Sequence, residues 1–467
     1  MSAPGRLCII GLDCADPQLV FERWPEALPN LRRIAAAGSW GRLRSTIPPI
    51  TVPAWMVMMT GRDPGELGFY GFRNRTDYGY DELGIANSST VTEPALWDRL
   101  GERGLRSTVI GVPPGYPPKP LLGKRVGCFL TPGTELDYTY PSELRYDIQR
   151  LVGEYMVDVE EFRTDDKERL LDDIIDMTER RFKLADAWLG MDDWQFFIMV
   201  EMGTDRIHHG FWQFFDERHL LYEPGSPFAD SIYDYYVRLD GHIGRLLERL
   251  APDDKVLVVS DHGAKRMDGA IAINQWLIDH GYLVLKEPVD GPTPFAKLKI
   301  DWARTKAWGY GGYYGRLCLN VRGREPEGCI DPADYEKVRD ELIGGLQALG
   351  DHEGRPIGTT VSRPEDVYKQ VKNIAPDLLV FFGDLYWRSV GSVGLGSVHV
   401  FQNDTGPDGA NHDWAGIYLG ARVGDLPAAA AAFPAANRRD GLDIRDIAPT
   451  VLAHFGLPHD LPGRVIS

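Results

Sequence analysis

The stretch RLCIIGLD, residues 6–13, is a continuous apolar run that ends on a carboxylate. The same form recurs in WQFFIMVEMGTD, residues 194–205, and in KVLVVSDHG, residues 255–263. Because polar and apolar residues do not alternate in these runs, they indicate strands that are buried on both faces. Such strands are typical of a parallel sheet that is covered by helices.

Amphipathic helical patterns separate these runs, for example in residues 27–38, 172–190 and 234–251. Strands that alternate with helices predict an α/β fold with a doubly wound, mostly parallel sheet and helices on both faces. APDLLVFFGD and WAGIYLGAR are interpreted as later strands of the same sheet, and DIRDIAPTVLAHFGLP as a late helix with Asp443 as its N-cap.

Two regions interrupt this rhythm. Residues 113–165 are rich in Pro, Gly, Tyr and acidic residues, and residues 286–362 combine a Gly/Tyr-rich stretch with a helical one. We interpret both as insertions, a lid and a cap, on one catalytic domain that spans residues 1–467.

The composition excludes several classes of protein. A net charge of −17 opposes binding to a nucleic-acid polymer, although a bound metal can still attract a small anionic substrate. No apolar run approaches the roughly 20 residues that span a bilayer, and the first apolar run ends in carboxylates, unlike a signal peptide. The five cysteines are odd in number and form no CxxC pair, which indicates reduced thiols and a cytoplasmic location. The oligomeric state stays unknown.

Residue types that bind metals follow each of the three runs. They are Asp13 after the first, Asp205 and His209 after the second, and Asp261 and His262 after the third. Ligands gather at the carboxyl ends of strands in an open parallel sheet. If a helix begins at Asp205, His209 shares its face, as does the alternative His208. One such aspartate alone is more often a helix cap, but together they favour two divalent cations, which would offset the repulsion between carboxylates.

Thr51 stands at a constrained turn in STIPPITVPAWMVMMTG, residues 45–61. It lies between prolines at the start of a buried helix, and Pro53 fits the first helical turn. The hydroxyl either caps this helix, where it would contribute about 1 kcal/mol, or reacts. The local sequence leaves both alternatives open.

The ordered motifs IIGLDCAD, PPITVPAWMVMMTG, TDRIHHGFW, VVSDHG and NHDWAGIYLG resemble the alkaline phosphatase superfamily. The most similar branch is the type I phosphodiesterase/nucleotide pyrophosphatase group. The resemblance implies that Asp13, Thr51, Asp261 and His262 surround one metal ion, and that Asp205, His209 and His412 hold the other. It favours His209 over His208. His412 cannot be selected from spacing, because GANHDWAG reads as a polar loop.

The resemblance also implies an activity. Thr51 would be the nucleophile of a metal-dependent hydrolase that cleaves a small phosphodiester or nucleotide pyrophosphate through a phosphothreonyl intermediate. Two divalent cations are expected, with zinc favoured and manganese as the alternative. A phosphomonoesterase, a phosphonate hydrolase, a phosphotransferase or a non-catalytic metal-binding scaffold are the alternatives on the same fold.

One departure from the group concerns the phosphate contact. Its nucleotide pyrophosphatases usually place an asparagine shortly after the nucleophile segment, where this chain reads GELGFYGFRNRTDYG. The simplest alignment puts Phe72 or a neighbour there. Arg73 or Asn74 could substitute as a substrate contact, and the alternative is that both are loop residues.

Overall fold

The computed structural model describes residues 5–81, 83–191 and 193–466. Its strands are β1 Leu7–Leu12, β2 Ser39–Arg44, β3 Arg73–Arg75, β4 Leu83–Ile85, β5 Ser107–Ile110, β6 Gly123–Val126, β7 Thr139–Tyr140, β8 Phe196–Glu201, β9 Lys255–Val259, β10 Gly263–Arg266, β11 Gly269–Ala272, β12 Ala307–Tyr310, β13 Gly315–Leu319, β14 Thr360–Ser362, β15 Leu378–Phe381, β16 Trp387–Val390, β17 His399–Val400, β18 Ala410–Asp413, β19 Ala415–Arg422 and β20 Leu442–Asp443. Its α-helices are α1 Pro29–Ala37, α2 Thr51–Thr60, α3 Pro64–Leu67, α4 Leu96–Gly101, α5 Leu144–Val152, α6 Lys167–Leu189, α7 Gly203–Phe215, α8 Ser231–Leu247, α9 Ile273–Asp279, α10 Tyr335–Gln347, α11 Pro364–Val367 and α12 Ile447–His454.

The main sheet has nine strands among the described residues, in the order β20-β2-β19-β9-β1-β8-β5-β6-β7. Strands β9, β1, β8, β5 and β6 are parallel neighbours, whereas β19 and β7 run antiparallel to the strands beside them. Every residue of β1 and β8 is buried, as the continuous apolar runs predict. The predicted α/β fold with a mostly parallel sheet is confirmed.

The helices that cover this sheet form two groups. Helix α12 contacts both α2 and α4, and α8 contacts α1, α6 and α7. Helix α2 packs directly on β1, because a Cβ atom at Gly11 would lie only 2.5 Å from the Trp55 ring. Asp443 accepts a hydrogen bond from the Arg445 amide at 3.0 Å and caps the turn that leads into α12. No helix in the described ranges is both long and apolar enough to cross a membrane.

Residues 269–400 form a second lobe, which is inserted in the chain between two strands that pair with each other. Strand β10 leaves the main sheet region and pairs antiparallel with β18, which returns to it. The lobe holds the four-stranded sheet β12-β13-β15-β14 and the three-stranded sheet β16-β11-β17, and most of its buried side chains form a cluster of their own.

Strand β15 corrects one sequence prediction. It arises from APDLLVFFGD, but it pairs with β13 and β14 in the second lobe and not with the main sheet. A continuous apolar run indicates burial without specifying the partner strand, and here the lobe supplies its own core. WAGIYLGAR is β19 and does join the main sheet, between β2 and β9.

The register of the central strands positions the site. Leu12 of β1 pairs with Glu201 of β8, and Gly11 pairs with Val259 of β9, so the three strands end side by side. The segments that follow them therefore meet at one edge of the sheet.

Candidate active site

The residues predicted after the three strands converge at this edge. Asp13 follows β1, and Asp261 and His262 follow β9. Asp205 lies in the first turn of α7, which follows β8 and begins at Gly203, and His209 lies one turn further along. All five side chains are buried.

The first group of ligand atoms surrounds Nε2 of His262. This nitrogen lies 3.1 Å from Oδ2 of Asp261 and 3.7 Å from Oδ1 of Asp13. Oγ1 of Thr51 lies 3.1 Å from the same nitrogen. The structure thus brings together the four residues that the sequence motifs assigned to one cation.

The second group surrounds Oδ1 of Asp205. This oxygen lies 3.2 Å from Nε2 of His209 and 3.8 Å from Nε2 of His412. His412 belongs to β18, opposite Ala264 of β10, so the segment interpreted as a polar loop is in fact a strand. The rings of His262 and His412 stack at 3.8 Å, which makes the two groups neighbours.

Several of the atoms that face one another in the two groups have no hydrogen-bond partner among the described residues. Within the described part of the chain, four buried atoms of this set have no hydrogen-bond partner: Asp13 Oδ1, Asp205 Oδ1, Asp261 Oδ2 and His209 Nε2. Buried polar atoms normally have hydrogen-bond partners. Carboxylate oxygens and imidazole nitrogens that lie together without such partners are the types of atom that coordinate a divalent cation. The residues therefore fit a bound metal.

The second carboxylate oxygen of each aspartate, and Nδ1 of His262 and His412, make hydrogen bonds to other groups of the protein. Asp13 Oδ2 accepts from Trp55 Nε1 at 2.7 Å, Asp261 Oδ1 accepts from the Cys14 amide at 3.1 Å, and Asp205 Oδ2 accepts from Arg206 at 2.5 Å. Nδ1 of His262 donates to the Gly263 carbonyl at 3.1 Å, and Nδ1 of His412 donates to the Pro49 carbonyl at 2.7 Å. Because a carbonyl only accepts, both imidazoles carry their proton on Nδ1 and present the Nε2 lone pair to the site.

The charges of the site also favour a bound cation. Burial, together with the charge of Asp205, raises the pKa of Asp13 well above its usual range, and burial with Asp13 does the same for Asp261. Burial opposes ionisation of Asp205, but His209 and Arg206 outweigh it and lower the pKa of Asp205. Three neighbouring carboxylates are not all ionised without added positive charge.

Three of the histidines in this region have lowered pKa values. Burial lowers the pKa of His262 to about 4 and lowers that of His412 well below its usual range, so both are neutral ligands. Burial also lowers the pKa of His208 to about 3; this residue is buried and lies 3.1 Å from the Tyr236 hydroxyl, outside both groups.

Thr51 is the first residue of α2, and Ile50 is the cap position. Among the described residues the Thr51 side chain hydrogen-bonds to His262 Nε2 and to no backbone N–H of the helix, so the capping alternative does not describe this structure. The hydroxyl is instead buried beside His262, at the end of a helix whose first backbone N–H groups lack intrahelical partners. Pro53 lies in the first helical turn, as predicted.

A cavity of about 290 Å³ adjoins the two groups. Thr51, Asp205 and His412 contribute to its lining, as do the aromatic residues Phe72, Phe129, Phe162, Tyr313 and Tyr314 and the arginines Arg73, Arg163, Arg206, Arg316 and Arg388. The predicted contact Arg73 therefore lines the cavity.

Asn74, the other predicted substrate contact, is not among the lining residues. Its Oδ1 accepts from the Tyr70 amide at 2.7 Å and its Nδ2 donates to the Gly71 carbonyl at 3.0 Å. Both polar groups of the side chain stabilise its own loop.

Sequence reasoning did not identify Asp408, which holds His209 from behind. Asp408 Oδ1 lies 2.7 Å from His209 Nδ1, and although burial opposes it, the charges of Asp408 and Asp205 raise the pKa of His209 to about 9. Asp408 follows a polar stretch with other carboxylates, and no local pattern distinguishes it. Arg163 and Arg388 were missed for the same reason.

Buried carboxylate and imidazole side chains at the carboxyl ends of parallel strands form the kind of site that metal-dependent α/β enzymes use. The sequence matches the family model of type I phosphodiesterase / nucleotide pyrophosphatase over residues 7–408. The chain belongs to this family of metal-dependent phosphoric ester hydrolases. The matched range includes every predicted ligand except His412, which lies just beyond it.

Two solved structures share the fold. Human ectonucleotide pyrophosphatase / phosphodiesterase 5 aligns with a TM-score of 0.54 at 13% identity, over 99% of this chain and 97% of its own. An inactive variant of the murine protein of the same name, in complex with AMP, aligns with a TM-score of 0.55 at 13% identity and the same coverage of 99% and 97%. No curated protein sequence matches the chain significantly.

Proposed function

We propose that the chain is a two-cation phosphodiesterase that cleaves small nucleotide diesters or pyrophosphates, with Thr51 as nucleophile. Asp13, Asp261 and His262 would hold one cation beside Thr51. Asp205, His209 and His412 would hold the other. The observation that carries this proposal is the position of Thr51 Oγ1, 3.1 Å from His262 Nε2 and at the N-terminus of α2.

Mixed oxygen and nitrogen donors favour zinc, with manganese as the alternative. When bound, a pair of divalent cations lowers the pKa of a hydroxyl and stabilises charge on the attacking and leaving oxygens. The chain supplies the remaining requirements: buried ligands, a nucleophile held among them, and a cavity for the substrate.

The reaction at the protein is an in-line displacement. The deprotonated Thr51 oxygen attacks phosphorus, the bond to the leaving oxygen breaks, and a phosphothreonine forms. The first turn of α2 directs backbone N–H groups towards the phosphoryl oxygens. Water then attacks the same phosphorus, and the Thr51 oxygen leaves.

Two further observations support the proposal. The murine protein named above is inactive with one threonine replaced by alanine, and it binds AMP, which agrees with a threonine nucleophile and a nucleotide substrate here. Phe129 and Phe162 come from the predicted insertion 113–165, and Tyr313 from the predicted insertion 286–362, and all three line the cavity. We propose that these insertions cover the site and stack on the base of the substrate.

Hydrolysis of bis-p-nitrophenyl phosphate and p-nitrophenyl phosphate, with zinc, manganese or a chelator added, tests the proposal. The expected result is metal-dependent turnover with the diester cleaved faster. Faster cleavage of the monoester would assign a phosphomonoesterase instead. No turnover of either ester by a protein with bound metal would assign a non-catalytic scaffold.

A further inference from the structure

One part of the cavity lining carries positive charge in addition to the proposed cation site. Arg73, Arg316 and Arg388 contribute this charge, and we call them the arginine wall. The chain has a net charge of −17, so the wall is a local reversal of the overall charge.

Arg388 is the central observation. Its exposed fraction is 4%, and its Nε and Nη1 atoms have no hydrogen-bond partner in the described part of the chain. The Asp408 Oδ2 atom lies 3.7 Å from Nη1, beyond hydrogen-bond distance, and the guanidinium lies 5.6 Å from the Tyr313 ring centre. A buried guanidinium with open donors is unfavourable unless a ligand accepts from them.

The other two arginines of the cavity are already compensated. Arg163 donates from Nε to Asp408 Oδ2 at 3.0 Å and from Nη2 to the Tyr313 hydroxyl at 2.7 Å. Arg206 donates to Asp158 at 2.6 Å and to Asp205 at 2.5 Å. These two side chains organise the ligand residues, and their charge is not available to a substrate.

Arg316 and Arg73 are not compensated in this way. Arg316 donates to two backbone carbonyls, those of Gly311 at 3.2 Å and Arg73 at 2.5 Å. Among the residues that the structure describes, no carboxylate forms an ion pair with either arginine. Three arginines thus line one cavity, Arg73 exposed, Arg316 half-buried and Arg388 buried, and in the described part of the chain the only carboxylate within ion-pair distance of them is Asp408, 3.7 Å from Arg388.

We propose that the arginine wall binds a second anionic group of the substrate, a carboxylate or a phosphate carried beyond the scissile phosphate, with Arg388 as the residue that determines this specificity. The inference rests on the proposed function, because the scissile phosphate must sit at Thr51. A guanidinium group can donate two parallel hydrogen bonds to a pair of oxygens, which both a carboxylate and a phosphate provide. Esters with an uncharged remainder are then poorer substrates than their anionic counterparts.

Binding to the zinc-loaded Thr51→Ala protein tests this without turnover. The probes are phenyl phosphate, 4-carbamoylphenyl phosphate, 4-carboxyphenyl phosphate and 1,4-phenylene bisphosphate, measured by calorimetry. The carbamoyl compound has the shape of the carboxylate without its charge. We expect at least one of the two anionic para groups to bind about tenfold tighter than the carbamoyl group. The tighter of the two identifies the anion as a carboxylate or a phosphate.

Arg388→Gln in the same background should reduce that preference to about twofold or less. Arg422→Gln is the matched control, because it removes the same single charge. Arg422 is exposed and pairs with Asp253. The control should retain the preference. If Arg388→Gln does not fold, Arg316→Gln should reduce the preference in the same series.

Three results would overturn the inference. Equal affinity for the carbamoyl and both anionic compounds would show that no second anion is recognised. An equal loss of affinity for all four compounds in Arg388→Gln would place Arg388 on the scissile phosphate. An unchanged preference in folded Arg388→Gln would remove its role. The proposed function fails separately, through absent turnover of bis-p-nitrophenyl phosphate by the wild-type protein.

Discussion

The Nδ1 atom of His209 lies 2.7 Å from Oδ1 of Asp408, so a carboxylate behind the imidazole holds it in place. The second oxygen of Asp408 accepts from Arg163 Nε at 3.0 Å and from the Tyr313 hydroxyl at 3.2 Å. A carboxylate in this position fixes the orientation of a metal-binding imidazole and increases its basicity. Asp408 is thus a positioning residue for the proposed cation at Asp205.

Asp408→Asn should weaken zinc binding by about 10–100-fold, because the amide lacks the charge that orients His209. Competition with a chromogenic zinc chelator measures the change. Asp440→Asn is the control, since Asp440 is exposed and pairs only with Arg438 in the described structure. Equal zinc affinity in the wild-type protein and Asp408→Asn would contradict the positioning role.

Thr51→Ala should abolish turnover of bis-p-nitrophenyl phosphate, while Thr51→Ser retains a measurable rate. Because the Thr51 side chain makes no capping hydrogen bond, the free energy of unfolding should change by less than about 1 kcal/mol. Steady-state kinetics and urea denaturation measure the two effects. Substantial activity in Thr51→Ala would refute the nucleophilic role. If Thr51→Ala does not fold, the turnover rate of Thr51→Ser tests the role instead.

The stability that Asp13 and Asp261 contribute to the metal-free protein should fall as the pH rises above the ordinary aspartate pKa of about 3.9. The folded-state pKa values of Asp13 and Asp261 are raised, so the folded chain binds more protons than the unfolded chain over this range. Asp205 and the buried histidines His208, His262 and His412, whose pKa values are lowered, act in the opposite direction, so the contribution of the two raised carboxyl groups is the difference between the wild-type protein and a variant that lacks one of them. Melting temperatures of the chelator-treated protein against pH measure the trend, and Asp261→Asn should reduce it.

Cation binding should reverse this pH dependence. The cation displaces protons from Asp13 and Asp261, so zinc affinity should increase with pH and binding should release protons into the buffer. Calorimetry in buffers of different ionisation enthalpy measures the released protons. Binding that is independent of pH between mildly acidic and neutral solution would contradict buried carboxylate ligands.

Removal of metal should destabilise the folded chain. With free zinc at 100 times its dissociation constant, one site adds about 2.7 kcal/mol to the free energy of unfolding. We expect two zinc ions per chain by elemental analysis, one in His412→Ala, and a lower melting temperature after chelation. A single ion in the wild-type protein would leave one of the two proposed groups without a metal.

The central strands could be predicted because a strand that is buried on both faces appears in the sequence as a continuous apolar run. Residues 6–13, 194–205 and 255–263 contain β1, β8 and β9, and the ligand types follow where each strand ends. APDLLVFFGD carries the same trace, yet its strand pairs within the second lobe. Apolar runs report burial and do not report which sheet buries them.

The predictable part of the site follows the same rule. Asp13, Asp205 and Asp261 lie next to strands that have a local signature, whereas His412 depends on the long-range pairing of β18 with β10 and was reached only through the family motif. Asp408 meets Arg163 and His209 across more than a hundred residues of chain, and no local pattern marks Asp408 or Arg388. Tertiary contacts of this kind leave no periodic pattern.

The chain enters the second lobe after β10 and leaves it before β18, and these two paired strands lie beside His262 and His412. The lobe carries Tyr313, Arg316 and Arg388 into the cavity, while the ligand side chains come from segments outside residues 269–400. Part of the proposed substrate contacts is therefore separated along the chain from the proposed cation ligands. Substitutions confined to residues 269–400 could then change what the enzyme recognises while every cation ligand keeps its place.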